Sequence, residues 1–219
     1  MSASTASTAS TASTVPAVPA SASVTLREIL GLPGGLPRLA ESALVMIDFQ
    51  NTYRSGALAL DGAEQALAAG ARLLAAARAA GTPVVHVVND GGEGTPYDIR
   101  AEIGSISAEV APRDGEPVVV KQAPNAFHAT ELEKTLRELG AGPDLVIAGF
   151  MTHMCVTFTA QGAFHLGYRP CVVAEATATR ALTAPDGTPV SAAALRTASL
   201  TTIGDLFGTV APTVAALLG

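Results

Sequence analysis

From Ala43 onward, short apolar runs alternate with longer stretches of helical periodicity. Ala43–Asp48 (ALVMID), Pro83–Val88 (PVVHVV), Pro117–Val120 (PVVV), Leu145–Gly149 (LVIAG) and Cys171–Ala174 (CVVA) predict strands. Each run is nearly continuous rather than alternating, the pattern of strands covered on both faces. Leu206–Val210 predicts a weaker sixth strand. Among the intervening segments, Ala63–Ala80 sets Leu67, Gly70, Leu74 and Ala77 at helical spacing, and Gly81 suits a left-handed cap. Thr130–Leu139 predicts a helix with Thr130 and Glu133 at capping-box spacing. Leu132, Leu136 and Leu139 form its apolar stripe, and Gly140 is its stop. Val190–Gly204 predicts another helix. Strands alternating with helices imply an α/β fold with a parallel, helix-covered sheet.

Two segments break this rhythm. Residues 1–22 repeat Ser, Thr and Ala before reaching Pro16 and Pro19, and such low complexity predicts a disordered tail. Residues 23–219 then form one expected domain, beginning with an irregular lead-in punctuated by Gly31, Pro33, Gly34, Gly35 and Pro37. Residues 89–116 are the second interruption, broken by Asn89, Asp90, Gly91, Gly92, Gly94, Pro96 and Pro112. A long connection after a strand's carboxyl end is where open α/β sheets place substrate-contacting loops. A plain solvated loop fits most of that length equally well.

Composition narrows the partners. The 219 residues are 48% hydrophobic and 15% charged, with a net charge of −6, and the pI is about 5.1. With no basic run, nucleic acid is an unsuited partner. No apolar run has the length of a membrane span, and the first Arg or Lys is Arg27, so no secretory n-region is evident. Two unclustered cysteines suit a reducing compartment, and the expected location is the cytoplasm. Cys171, inside a strand run, reads as a buried hydrophobe.

Chemistry collects at the carboxyl ends of the strands. Asp48 ends the first and is followed by Gln50; Lys121 ends the third; the fourth runs into Phe150, Met151, Thr152, His153, Met154 and Cys155. A thiol with an ordinary pKa of ~8.5 is activated by a nearby ammonium or by a helix N-terminus. With Thr152 as N-cap, Cys155 falls at the third helical position, where its own N–H lacks an intrahelical partner and can serve an oxyanion. Asp48 can accept the thiol proton, and Lys121 can hold that carboxylate. Taken one at a time, each has an ordinary alternative: a capping Asp, a solvated Lys, a small buried Cys.

The segments ALVMIDFQNTY, VVKQAPNAF and VIAGFMTHMCV, in that order, resemble the isochorismatase-like cysteine hydrolases. The resemblance extends from about Ala43 to Val210 and includes nicotinamidase, N-carbamoylsarcosine amidase and streptothricin hydrolase branches. It implies a three-layer α/β sandwich, Rossmann-like, whose central six-stranded sheet is mainly parallel. It implies a catalytic triad of Asp48, Lys121 and Cys155. It also implies a cis peptide at Phe150–Met151 that turns the Met151 amide toward the substrate, forming an oxyanion hole with the Cys155 amide. A homo-oligomer is implied as well. The nicotinamidase metal site is not matched: HVVNDGGEGTPYD lacks an Asp-x-His spacing. His86, His128, His153 and His165 are not paired at ligand spacings either, so neither metal nor other cofactor is expected.

Gln50, Tyr97, Phe127, Phe150 and His153 are candidate pocket residues. For Phe127 and His153 a packing role fits as well, and His86 reads as a core histidine. The expected activity is hydrolysis of an amide or lactam C–N bond in a small molecule through a Cys155 acyl-thioester. Alternatives are isochorismate-type vinyl ether hydrolysis, a non-catalytic small-molecule binding protein, and a redox thiol.

Overall fold

The computed structural model describes residues 23–218. The predicted tail lies outside them. Six strands form one sheet: β1 (Ala43–Ile47), β2 (Val84–Asn89), β3 (Val118–Lys121), β4 (Asp144–Phe150), β5 (Arg169–Ala178) and β8 (Thr209–Ala211). Their spatial order is β3-β2-β1-β4-β5-β8, and every neighbouring pair is parallel. A separate antiparallel hairpin, β6 (Leu182–Thr183) with β7 (Pro189–Val190), was not legible in the apolar pattern.

The helices are α1 (Leu26–Ile29), α2 (Ala63–Ala80), α3 (Leu132–Glu138), α4 (Thr157–His165), α5 (Ala192–Thr202) and α6 (Ala215–Leu218). Buried side chains divide into two cores. On one face Leu44, Met46, Val146 and Val173 meet Leu67, Leu73 and Leu74 of α2. On the other, Val45, Ile47, Val85 and Ile147 meet Leu132 and Leu136 of α3 and Ala160 and Ala163 of α4. The sheet is thus the middle of three layers, and its central strands are apolar on both faces for that reason.

Helix α2 matches its predicted bounds, and Gly81 ends it at φ 71° with its amide capping back to Ala77 and Arg78. Elsewhere the structure corrects the sequence. Thr130 does not cap α3: its hydroxyl donates to the Ala126 carbonyl and accepts from the Leu132 amide, and Glu131 becomes the N-cap. Strand β5 is longer than predicted, with a register shift against β4. Leu206 belongs to a wide π-type turn at Ile203–Phe207, and the last strand begins only at Thr209. Strand β3 is an edge strand covered on one face only. Val118 and Val120 remain 44% and 46% exposed, against the expectation of two covered faces.

The strand order reverses direction at β1. From there one half of the sheet proceeds through β2 to β3, and the other through β4 to β5. Connections leaving the carboxyl ends of β1 and β4 therefore diverge to opposite sides and open a crevice, the usual ligand position in such sheets.

Candidate active site

Asp48 and Cys155 leave the two strands that border this crevice. Asp48 follows β1 with φ 50°, a left-handed conformation that Asp tolerates better than bulkier residues. Its amide donates to the Val87 carbonyl at 2.9 Å, so the turn begins while the residue is still tied to β2. In β4, Gly149 has φ 136°, and a β-carbon there would lie 1.8 Å from the Ile47 carbonyl oxygen. Only glycine lets β4 pass β1 this closely. The Phe150–Met151 peptide that follows is cis.

The chain then makes a π-type turn over Thr152–Val156 before α4. Met151, not Thr152, is the N-cap, which corrects the predicted helix start, and the Thr152 hydroxyl caps nothing. The Met151 carbonyl accepts from the amides of Met154 at 3.0 Å and Val156 at 3.3 Å. Cys155 lies between those two donors, on a turn wider than an α-helix.

Lys121 reaches both sides of the crevice from β3. Its Nζ is 2.8 Å from Asp48 Oδ2 and donates to Cys155 Sγ at 3.3 Å. The side chains of Lys121 and Asp48 are fully buried, and Cys155 is 8% exposed. At 2.8 Å the Asp48 contact is the shortest the ammonium makes, and it joins opposite charge to hydrogen bonding.

Burial sets the proton affinities. It raises the pKa of Asp48, and the Lys121 charge only partly offsets that rise. Burial and then the Asp48 charge push the Cys155 thiol up to about 12, against the pull of Lys121. For Lys121, burial acts downward, but the charges and hydrogen bonds of Asp48 and Cys155 outweigh it, and its pKa is raised. Lys121 favours the thiolate, as expected of a neighbouring ammonium, while burial and then the Asp48 charge act against it.

The other sequence candidates separate. Gln50 is fully buried and spans from the Asn89 backbone to the Gly104 carbonyl, holding the long loop against the rim. Phe150 points into the core against Phe49 and Tyr53, with ring centroids 4.8 and 5.6 Å away. Phe127 stacks on Tyr168 at 5.8 Å, within the α3–α4 side of the core. Tyr97 donates to or accepts from the Tyr53 hydroxyl at 3.3 Å. Met151 is nearly buried beside the turn. His153 is half-buried, with Nδ1 2.5 Å from Thr179 Oγ1; burial and the Arg180 charge lower its pKa.

Three residues near the site escaped the sequence. Asn89 ends β2 in register with Lys121 and accepts from its Nζ at 3.3 Å. Its position at a strand end on the same rim was the available signal. Tyr53 is buried and close enough to feel the charges of Asp48 and Cys155, which add to burial in raising its pKa. Arg180 carries a buried Nε with no partner among the described residues. Among the described residues no cluster of three His, Cys, Asp or Glu side chains is arranged to hold a metal ion. No helix of the described residues is long and apolar enough to cross a membrane.

Residues 42–210 match the isochorismatase domain family. The secreted isochorismatase effector Isc1 of Verticillium dahliae is 34% identical over 186 residues, 84% of this chain and 95% of its own. A streptothricin hydrolase of Streptomyces noursei is 36% identical over 63% of this chain and 49% of its own length. Further relatives are a ureidoacrylate amidohydrolase and a maleamate amidohydrolase, 32% and 34% identical. The crystal structure of an isochorismatase from Pseudomonas putida superposes with a TM-score of 0.85 at 38% identity, covering 89% of this chain and 99% of that one. Because one relative is a secreted protein, family likeness does not carry the cytoplasmic expectation.

Proposed function

The chain belongs to the isochorismatase family of hydrolases, and we propose that it cleaves a small-molecule amide through a Cys155 acyl-thioester. One observation carries this: a buried ammonium, Lys121, set between a carboxylate at 2.8 Å and a thiol at 3.3 Å. Asp48, with its raised proton affinity, takes the Cys155 proton as sulfur bonds to the substrate carbonyl carbon. Lys121 balances the negative charge throughout. The amides of Met151 and Cys155 receive the oxyanion. Collapse breaks the C–N bond, and the amine departs with the proton from Asp48. Water then attacks the thioester, Asp48 takes its proton, and the thiolate leaves and regains that proton.

Arg180 supports a substrate class. Its Nε lacks a partner, and its charge is felt by His153, two residues before Cys155. A buried donor of this kind favours an anionic acceptor. Ureidoacrylate and maleamate, the substrates in two relatives' names, are a ureide and an amide that each keep a free carboxylate. We therefore favour an acid amide over the lactam that the sequence also admits. A second reading rests on the raised pKa of Asp48: a protonated Asp48 suits general-acid cleavage of a vinyl ether.

The deciding experiment measures ammonia release from a panel of acid amides, with intact-mass detection of the acyl-enzyme. Cys155→Ala should lose turnover by at least ~10⁴-fold with its fold unchanged. Full turnover by that variant would exclude the thioester. Arg180→Met should raise KM about tenfold or more for carboxylate-bearing amides, the equivalent of one charge-assisted hydrogen bond. An equal effect on uncharged amides would remove the acid-amide assignment.

A further inference from the structure

The Lys121 ammonium has three N–H bonds, and three groups meet it. Asp48 Oδ2 lies at 2.8 Å, Cys155 Sγ at 3.3 Å and Asn89 Oδ1 at 3.3 Å. The first two exchange a proton in the proposed reaction. The Asn89 amide does not titrate. Because an ammonium only donates, the Asn89 atom facing it is the carbonyl oxygen. We propose that Asn89 is a positioning residue: its amide oxygen takes one N–H as a neutral acceptor and so aims the other two at Asp48 and Cys155. This inference rests on the hydrolase reading of the same site.

Neutrality is the useful property. A carboxylate at position 89 would add a second anion beside the ammonium, drawing it from the sulfur and raising the proton affinity of both Cys155 and Asp48. An apolar side chain would leave a buried N–H without an acceptor, at a cost the ammonium avoids by turning toward Asp48. Either change weakens the one contact that stabilises the thiolate.

The amide is itself held from behind. Gln50 Oε1 accepts from the Asn89 backbone N–H at 3.0 Å. Gln50 Nε2 donates to the Asn89 carbonyl at 3.0 Å and to the Gly104 carbonyl at 2.6 Å. Gln50 is fully buried and lies two residues after Asp48. One strut thus fixes the base and the third acceptor of the ammonium relative to each other. Its bonds to residue 89 use only the main chain, so a changed side chain there leaves the strut in place.

The test is the pH dependence of Cys155 alkylation by iodoacetamide in the full chain. Peptide mapping separates Cys155 from Cys171, and melting curves accompany each variant. Asn89→Leu should move the Cys155 profile upward by about one pH unit, slowing labelling at pH 8 about tenfold. Asn89→Asp, which is isosteric and keeps the strut, should move it in the same direction and decides the matter if the Leu variant fails to fold. Lys121→Met should move it further still. If both folded Asn89 variants superimpose on the parent while Lys121→Met shifts, the positioning role is overturned and the triad stands. If Lys121→Met does not shift either, both fail.

Discussion

Two groups of charges border strands β2 and β3, and they are built in opposite ways. At the amino-terminal side, Glu116 accepts from Arg78 at 2.8 and 2.7 Å, from the Arg113 amide at 2.9 Å, and meets His86 Nε2 at 3.0 Å. Led by the Arg78 hydrogen bonds, these partners hold its pKa down to about 2 despite burial. His86, kept neutral by burial, presents Nε2–H to that carboxylate. At the carboxyl ends, Lys121, the Cys155 thiol and the Asn89 backbone face Asp48, but burial outweighs them and its pKa rises. A carboxylate whose partners outweigh its burial is a brace; one whose burial outweighs its partners keeps a use for a proton. Both groups contain a carboxylate and a cation, but Asp48 and Lys121 are fully buried, whereas Glu116 and Arg78 keep 13% and 17% of their side chains exposed.

This contrast predicts opposite trades between activity and stability. The largest effect belongs to the double variant Asp48→Asn with Lys121→Met. It should abolish turnover, by ~10⁴-fold or more, yet leave the melting temperature unchanged or higher, because replacing a buried ion pair is often neutral or stabilising. Ammonia release and calorimetry measure the two arms; a melting temperature lower by many degrees would erase the contrast.

Asp48→Asn alone sharpens it. Removing the carboxylate removes the repulsion that pushes the thiol up, while Lys121 remains to stabilise the thiolate. Iodoacetamide labelling of Cys155 at neutral pH should therefore speed up, by about tenfold for each unit of pKa, while turnover falls. Slower labelling would mean that Asp48 does not oppose the thiolate.

The smallest effect lies at the brace. Glu116→Gln should cost ~1–3 kcal/mol and a few degrees in melting temperature while changing kcat less than about twofold. Its pH dependence has a defined sign. The folded pKa of Glu116 is depressed, so its stabilisation is present above the ordinary glutamate value of 4.5 and is lost as pH falls toward about 2. Acid-unfolding curves of the parent should steepen in that window, and those of Glu116→Gln should not.

Much of the scaffold was legible because it depends on local pattern. Helix α2 is set by its own periodicity and by Gly81, and the central strands by unbroken apolar runs. Thr130 misled because a capping hydroxyl has rival partners, and here Ala126 supplies one through the turn of the preceding chain. The open face of β3 was hidden because Pro117–Val120 looks the same with or without a helix above it. Gln50 was assigned to the pocket because it follows Asp48. Its partners are 39 and 54 residues away, and no local spacing announces them. Asn89 was passed over as a loop breaker for the same reason.

The sequence by itself determined the alternation of strands and helices, the family, and which residue types stand at the strand ends. Only the tertiary structure decided that Asp48, Lys121 and Cys155 meet, that Asn89 completes the ammonium's surroundings, and that burial and Asp48 oppose the pull of Lys121 on the sulfur. Strand identity follows from the order of neighbouring side chains along the chain. A proton's affinity follows from burial and from charges a few ångströms away, and those charges come from the ends of three different strands.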